Sequence, residues 1–582
     1  MNRNVESRFA LSPNLESMSR SRFARPFSHK TTFDAGQLIP FYLEEVLPGD
    51  THQIDTSFLI RMQTLLDPVM DDMYLDTYYF FVPNRLVWEH WKQFMGENTD
   101  SAWIPQVSYS VPQIKSPSST GWTKGTLADY FGIPTGIDLG NTTVSALPFR
   151  GYAMIVNEFF RDENLVNYLN IPTGDSTQTG TNGTNYVNDI ANGGMPFICA
   201  KYHDYFTSCT PAPQKGPDVE INLAGLSGSI PVYGNTKPLG LMTYYDSSIK
   251  TASMATSIGN YSELYGDTSV SGSLYNTPSG TSFSKSNGIN SYVGVIDKTR
   301  LGSDLSKSGL IADLSAVSGE SVITINQLRQ AFQVQKFYER DATSGSRYTE
   351  LILSHFGVQS PDARLQRPEY LGGSRTRINI NSVVQTSETG STPQGTTAAY
   401  SVTTDKHSDF TRSFTEHGFI FGLAVVRYDH TYQQGIERMW RRNNRFDYYW
   451  PLFANLGNQA VKNSEIYAQG SSVVNNNTST PYDDEVFGYQ EAWAEYRYKP
   501  NRVSGEMRST YTTPLDSWHL ADDYSQLPSL SAEWIQEDKT NVDRCLAVTS
   551  STANQFFGDF YVQDIATRVM PVYSVPGLID HH

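Results

Sequence analysis

The chain has 582 residues, of which 44 are basic and 60 acidic, and its formal net charge at pH 7 is -16. Only 18% of the residues are charged and 13% are aromatic, a composition that excludes a chain disordered throughout and favours β-sheets and protein contacts. The acidic balance argues against a protein that binds nucleic acid over its whole surface.

The N-terminal segment departs from this balance. Residues 1–30 carry six basic side chains against two acidic ones, so we treat 1–35 as a basic N-terminal arm. The arm lacks the apolar core of a signal peptide, and no apolar run in the chain reaches the roughly 20 residues of a membrane span. We therefore expect a soluble chain without membrane insertion. The arginines of the arm are Arg3, Arg8, Arg20, Arg22 and Arg25.

Strand patterns occur near both ends of the chain. Runs of aromatic and β-branched residues bounded by Pro, Gly or Asp predict core strands at 54–62, 74–82, 418–428 and 556–563. Because these runs lie far apart in sequence, they predict one β-domain with enlarged connections rather than a row of separate domains.

Helices are predicted between the strands. Asn84 and Gly96 bound the first helix, and apolar residues at helical spacing predict a second near 150–165. A capping box at Thr324–Gln327 begins a third helix, and Gly357 ends a fourth.

The most polar tract lies in the middle of the chain. Ser, Thr, Gly and Asn occupy 24 of the 40 positions of 251–290, with only three charged residues. Apolar residues are spaced through the tract, so we expect an ordered surface insertion at 241–310 rather than a linker. Its aromatic side chains include Tyr261, Tyr265, Tyr275, Phe283 and Tyr292.

No catalytic signature stands out. The sequence contains no phosphate-binding loop, zinc-protease motif or nucleophile elbow, and its three cysteines lack CxxC spacing, which predicts free thiols and a reducing site of synthesis. His203 with Asp204, and His407 with Asp405 and Asp409, could form metal or acid-base sites. Such pairs often arise by chance, so we expect structural roles. The sequence therefore predicts no catalytic residue, no metal site and no cofactor.

Residues 438–450 form the densest basic and aromatic segment. Arginine for phosphates and flat rings for base stacking are typical of proteins that grip single-stranded nucleic acid. The same residue types are also enriched at protein interfaces, where the arginines would pair with acidic groups across a subunit contact. We favour the interface and keep both interpretations. The arginines concerned are Arg438, Arg441, Arg442 and Arg445.

Three long segments resemble one protein family. Residues 48–97 run from PGDTHQIDTSFLIRM to VPNRLVWEHWKQFMGE, 338–373 read YERDATSGSRYTELILSHFGVQSPDARLQRPEYLGG, and 553–578 read ANQFFGDFYVQDIATRVMPVYSVPGL. These segments closely resemble the major capsid proteins of the microviruses, single-stranded DNA bacteriophages, in the gokushovirus branch. The resemblance runs almost end to end and weakens at 241–310.

The resemblance implies a fold and an assembly. The fold would be mainly β, an eight-stranded antiparallel jelly roll of the viral capsid type with long loop insertions and a few helices. The jelly roll would lie in 36–240 and 311–582. Sixty copies, with pentamers as assembly units, would form a T=1 icosahedral capsid around circular single-stranded DNA. The protein would be a structural component of the virion and not an enzyme, assembled in the host bacterial cytoplasm.

The resemblance also implies partners. They are the DNA genome, a small basic DNA-binding protein, an internal scaffolding protein and a host surface receptor. The insertion at 241–310 would build a protrusion at each three-fold axis and contact the receptor through the aromatic residues named above. The arm would line the inner surface near DNA or a bound partner, or it would strap a neighbouring subunit through acidic side chains. The alternative function is a soluble jelly-roll glycan-binding protein or glycosidase, in which two carboxylates would flank an aromatic cleft.

Overall fold

A computed structural model describes residues 20–97, 107–219, 325–388, 390 and 393–573, together with five short strands between 232 and 312. The chain divides into two compact units, Met1–Pro217 with Lys336–His582, and Asp218–Gln335. The predicted segments Arg3, Arg8 and Thr324 lie outside the described residues.

Two four-stranded sheets dominate the first unit. Sheet A has the strand order β1-β8-β3-β6 and sheet B the order β5-β4-β7-β2, and all neighbouring strands are antiparallel. The strands are β1 Ser21–Phe33, β2 Ile39–Val46, β3 Thr51–Met62, β4 Met73–Pro83, β5 Glu369–Arg377, β6 Thr403–Ser413, β7 Gly418–Tyr428 and β8 Phe556–Arg568.

Sheet A has one buried face and one face toward solvent. Along β3 and β8 every second side chain is buried, which is the alternation expected of a strand covered on one side. The buried side chains meet those of sheet B in a common core, where the rings of Phe41 and Phe560 stack with centroids 4.6 Å apart. The other face of sheet A carries mainly Ser, Thr, Gln and charged residues.

Sheet B is covered on both faces. Tyr79 and Phe81 of β4 belong to the core shared with sheet A, whereas the intervening Phe80 belongs to a second core with Trp88 and Phe421. Burial on both sides explains why the central strands β4 and β7 read as nearly continuous apolar runs instead of alternating.

The second core is built by the long connections. Its largest helix is Leu147–Ile155, which continues as a π-helical turn over Val156–Phe160. The remaining α-helices are Asn84–Val87, Trp91–Phe94, Leu127–Tyr130, Ile325–Ser344, Tyr348–Phe356, Asn463–Ile466, Ala532–Ile535 and Lys539–Arg544. Smaller strands of this unit are Gln113–Lys115, Thr143–Ser145, Gln178–Thr179, Ile380–Val384, Thr397–Ser401, Thr431–Tyr432, Asn458–Lys462, Val486–Glu491 and Asn501–Arg502.

The unit formed by Asp218–Gln335 contains two small antiparallel sheets among its described residues. Val232–Gly234 pairs with Leu310–Ala312, and Leu241–Tyr244 lies between Ser253–Met254 and Tyr292–Val295. The predicted insertion at 241–310 falls within this unit.

The mainly β class with a few helices is confirmed. The predicted runs 54–62, 74–82, 418–428 and 556–563 lie within β3, β4, β7 and β8. The helix predicted between Asn84 and Gly96 is instead two short helices, because Trp88 leaves the helical conformation to enter the second core. Residues 21–33 of the predicted arm are strand β1 at the edge of sheet A.

The helices were also examined as membrane spans. Within the described ranges, none of them combines the length and the apolar composition that a membrane crossing requires.

The two faces of β8 predict different responses to substitution. Phe560 is fully buried, so Phe560→Ala should lower the free energy of unfolding by about 3–5 kcal/mol through lost burial and the cavity left behind. Phe557→Ala is the matched control three residues earlier, and because Phe557 is 40% exposed it should cost much less. Urea unfolding of both variants measures the difference; equal losses would contradict the assigned faces.

Candidate functional site

The segment 438–456 is the part of the surface where basic and aromatic side chains are densest. It forms three short 3-10 turns, Arg438–Arg441, Arg445–Asp447 and Pro451–Phe453. The Asp447 carboxylate accepts hydrogen bonds from the backbone N–H groups of Asn443 and Asn444, which fixes the second turn. These hydrogen bonds hold the pKa of Asp447 below its usual value.

Three of the four predicted arginines pair with acidic residues of the same chain. Arg438 lies 2.8 Å from Glu465, Arg441 lies 2.7 Å from Asp484, and Arg442 lies 2.9 Å from Glu495. These pairs anchor the segment to the connection between β7 and β8. They also neutralise the guanidinium charges, which leaves little positive charge for phosphate groups.

Arg445 differs from the other three. Within the described part of the chain it forms no ion pair, and its guanidinium lies 4.6 Å from the ring centroid of Phe446. It is the arginine of this segment that remains available to an outside partner.

The apolar side chains of the segment are largely exposed. Trp440 is 72% and Leu452 89% exposed, which is unusual for side chains of this size in a folded protein. The exposed group between 436 and 456 consists of Ile436, Met439, Trp440, Phe446, Tyr448, Tyr449, Trp450, Leu452 and Leu456. We call this group the exposed ring surface; Tyr496 and Tyr498 are exposed beside it.

A cleft of about 410 Å³ lies next to the exposed ring surface and is lined by Trp440, Tyr496 and Tyr498. Its carboxylates are engaged by basic groups. Glu437 accepts a hydrogen bond of 2.6 Å from Lys499 and lies 3.0 Å from Arg502, so its pKa is lowered, first by the hydrogen bond from Lys499. A general acid for glycoside cleavage needs a raised pKa, and Glu437 has the opposite shift.

The described part of the arm is held by a buried charge cluster. Arg25 lies 2.6 Å from Glu44 and also contacts Asp564, which accepts a further hydrogen bond of 2.9 Å from His52. Burial favours the neutral form of Asp564, but the hydrogen bond and charge of His52 and the charge of Arg25 hold its pKa below the usual value. Arg568 joins the cluster through Asp50 at 2.9 Å and Glu44 at 3.0 Å.

The other predicted residues are placed as follows. Arg20 and Arg22 are exposed, and within the described residues neither forms an ion pair. Tyr261, Tyr265, Tyr275 and Phe283 lie outside the described residues, and Tyr292 begins the strand Tyr292–Val295.

A second buried cluster was not predicted from the sequence. His430 contacts Asp522 through Nδ1 at 3.0 Å and Glu537 through Nε2 at 2.9 Å, and Lys201 lies 3.5 Å from Asp522. Burial lowers the pKa of His430, but the charges of the two carboxylates outweigh this and raise it to about 9. His430, Asp522 and Glu537 come from segments far apart in the chain, so no local spacing could have revealed the cluster.

His407, named in the sequence as a possible metal or acid-base group, joins the two sheets. It lies 3.0 Å from Asp409 and its Nε2 is 3.0 Å from the hydroxyl of Ser374, which belongs to β5. The hydrogen bond to Asp409 is the main cause of a raised pKa. Among the residues that the structure describes, His, Cys, Asp and Glu form no group of three able to hold a metal ion.

Two antiparallel sheets, an exposed ring surface and arginines paired within the chain define a structural protein that associates through its surface. The chain belongs to the family described as Capsid protein (F protein), whose model matches residues 14–578. It is a structural major capsid protein of the microvirus type and not an enzyme, and its place is the virion.

Its relatives are similar over nearly their whole length. The chain is 42% identical to Capsid protein VP1 of Chlamydia phage 1, covering 99% of this chain and 98% of that protein. It is 43% identical to Capsid protein VP1 of Spiroplasma virus 4, with 96% and 95% covered. Capsid protein VP1 of Bdellovibrio phage phiMH2K is 38% identical, with 99% and 98% covered. The predicted family is confirmed.

The ion pairs of the segment predict which arginine is structural. Arg438→Gln leaves Glu465, whose side chain is 4% exposed, without its charged partner, so the free energy of unfolding should fall by about 3–5 kcal/mol. Arg445→Gln is the matched control and should change it by less than about 0.5 kcal/mol. Urea unfolding of both variants is the measurement, and an equal loss in the two would refute the assignment.

The His430 cluster predicts a pH dependence. Because the folded protein raises the pKa of His430 from 6.5 to about 9, its stabilisation is fully present below pH 6.5 and is lost as pH rises through 9. His430→Gln should lower stability at pH 6.5 and flatten the decline between pH 6.5 and 9. Unfolding free energies of both proteins across this range test it, and parallel curves would show that His430 does not titrate as expected.

Proposed function

We propose that this chain is the repeating unit of a T=1 icosahedral shell in which sixty copies enclose circular single-stranded DNA. The exposed ring surface carries this proposal, because a lone subunit would leave nine large apolar side chains between 436 and 456 in contact with water. A neighbouring subunit that covers this surface removes the apolar area at a gain of about 25 cal/mol per Å².

We further propose that the two sheets form a jelly roll. The first strand pairs with the eighth, the third with the sixth, the second with the seventh and the fourth with the fifth. A long hairpin rolled up on itself has these pairs, which is the jelly-roll arrangement found in viral capsid domains. The strand order of both sheets supports it.

The exposed ring surface is assigned to a subunit contact rather than to DNA. Its arginines Arg438, Arg441 and Arg442 are neutralised within the chain, so a partner meets rings and balanced charges. Balanced charges and exposed Trp, Tyr and Met are typical of protein interfaces. Arg445 would pair with an acidic group of the neighbouring subunit. Pentamers are the expected assembly units.

The arm is assigned to the interior of the shell. Arg25 is engaged by Glu44 and Asp564, so it fixes the base of the arm, while Arg3, Arg8, Arg20 and Arg22 would contact DNA or a bound partner. Sixty copies of a chain with net charge -16 oppose the enclosure of DNA unless cations offset the charge. A small basic DNA-binding protein packaged with the genome would supply them.

The insertion at 241–310 is assigned to the outer surface. A tract rich in Ser, Thr and Gly with spaced tyrosines suits a solvent-facing loop that meets its symmetry copies at a three-fold axis and contacts a host surface receptor. Tyr261, Tyr265, Tyr275, Phe283 and Tyr292 are the proposed contacts. Assembly in the host bacterial cytoplasm, guided by an internal scaffolding protein, completes the proposal.

The subunit contact can be tested at Trp440. Trp440→Glu places a charge in the proposed interface and should abolish or strongly reduce particle formation while the subunit stays folded. Trp440→Phe is the matched control, because it keeps an apolar ring and should still assemble. Sedimentation velocity and negative-stain microscopy measure particles, and circular dichroism checks folding. Normal assembly of the Glu variant would exclude the exposed ring surface as a required contact.

A further inference from the structure

The outer face of sheet A, the face turned away from the core, carries a second set of exposed rings. In β8 the alternation that buries Phe556, Phe560 and Val562 directs Phe557 and Tyr561 outward. Their exposures are 40% and 43%, and within the described residues neither ring packs against another aromatic ring. Four residues of strand separate them, about 13 Å, which leaves room for a flat group on each.

The cations of this face differ from those of segment 438–456. Arg61 lies directly opposite Phe557 across the β3/β8 ladder, and Lys406 lies in the same cross-strand row as Tyr561, with Ser57 between them. Arg22 projects from the same face at its β1 edge. In the part of the chain that the structure describes, Arg22, Arg61 and Lys406 form no ion pair.

The acidic residues of the outer face are fewer. Asp55 lies on β3, and Asp559 is shared with Lys30 at 3.4 Å and with the hydroxyl of Ser28 at 2.9 Å. The face therefore carries a surplus of positive charge on a chain whose net charge is -16. Its other positions are mostly Ser, Thr and Gln, which can donate hydrogen bonds to phosphate oxygens.

A groove extends the face beside Phe557. It encloses about 600 Å³ and is lined by Phe557, Lys30 and Lys124, together with Tyr130 and Asp129. The Asp129 carboxylate accepts a hydrogen bond of 2.7 Å from the backbone N–H of Gly125, so it is already engaged. An open groove with a ring on one wall and two lysines on its rim suits a base and its flanking phosphates.

We propose that the outer face of sheet A binds single-stranded nucleic acid, with bases stacked on Phe557 and Tyr561 and phosphates placed at Arg61, Lys406 and Arg22. The inference rests on the proposed enclosure of single-stranded DNA and names the surface that meets it. A flat sheet face with spaced rings and unpaired cations is a general platform for single strands, since every base has a face that stacks. Duplex DNA, whose bases are already stacked, would gain only the phosphate contacts.

Binding of a fluorescently labelled oligo(dT) to purified full-length protein tests the proposal by anisotropy. The double variant Phe557→Leu, Tyr561→Leu keeps apolar volume but removes the rings, and it should weaken binding by roughly 5-fold or more for each ring. The double variant Arg61→Gln, Lys406→Gln should reduce the slope of log K against log salt by about 1.4, at 0.7 for each phosphate released. Binding of a duplex of equal length should respond to the second variant only.

Matched controls lie on other surfaces. Tyr400→Leu removes a ring that is 52% exposed, and Lys92→Gln removes an exposed cation, and both should bind oligo(dT) as the wild type does. Wild-type affinity in the Phe557, Tyr561 double variant, with an unchanged melting temperature, would overturn the proposal. Normal DNA binding combined with failed assembly in that variant would also overturn it, because the face would then contact protein.

Ultraviolet cross-linking of intact wild-type particles gives a measurement that needs no variant. Nucleotide adducts mapped by mass spectrometry should include the peptide that contains Phe557 and Tyr561. Particles that contain DNA but carry adducts only on other peptides would reject this surface while leaving the proposed enclosure of DNA intact. Particles that form without DNA would instead count against the proposed enclosure itself.

Discussion

β1 and β8 pair along thirteen residues, from Ser21 opposite Arg568 to Phe33 opposite Phe556, so the two ends of the described chain lie side by side. The pairing is reinforced from within, because the buried carboxylate of Asp564 on β8 binds Arg25 of β1 and His52 of β3. A buried carboxylate is costly without such partners. Asp564 therefore ties three strands of sheet A at one point.

Closure by the chain ends explains why the connections could grow. Everything between the two strands is a loop of that closure, and each doubling of loop length costs only about 0.6 kcal/mol. The longest connections run between β4 and β5 and between β7 and β8, and the first of them supplies most of the second core. The additions cover sheet B and leave the outer face of sheet A uncovered by described residues. The sandwich thus has one covered side and one bare side.

The sequence predicted the central strands and missed the polar ones. β3, β4, β7 and β8 are rich in aromatic and β-branched residues because each is buried on at least one full face. β1, β5 and β6 are edge strands, which keep charged residues, Gly or Pro at positions that a central strand cannot accept. β1 contains Pro26 and three basic residues, so its composition predicted an arm where the structure has a strand.

The functional surfaces were harder to predict because they depend on which charges meet. The segment 438–450 was found from its composition, but its acidic partners Glu465, Asp484 and Glu495 follow 27 to 53 residues later and carry no local pattern. Asp564 could have been found, since the alternation of β8 places it on the core side with Phe560 and Val562, where a charge requires a partner. The buried His430 cluster offered no such signal.

Arginine and aromatic residues occur on two surfaces of this capsid protein, and the state of the cations separates the roles we propose. At 438–456 the rings lie among guanidinium groups that carboxylates of the same chain already neutralise, so contact with a phosphate would require these ion pairs to break. On the outer face of sheet A, the cations Arg61 and Lys406 stand beside the rings without such partners among the described residues, so a phosphate displaces only water and counterions. The same residue types therefore favour a protein partner on one surface and a polyanion on the other.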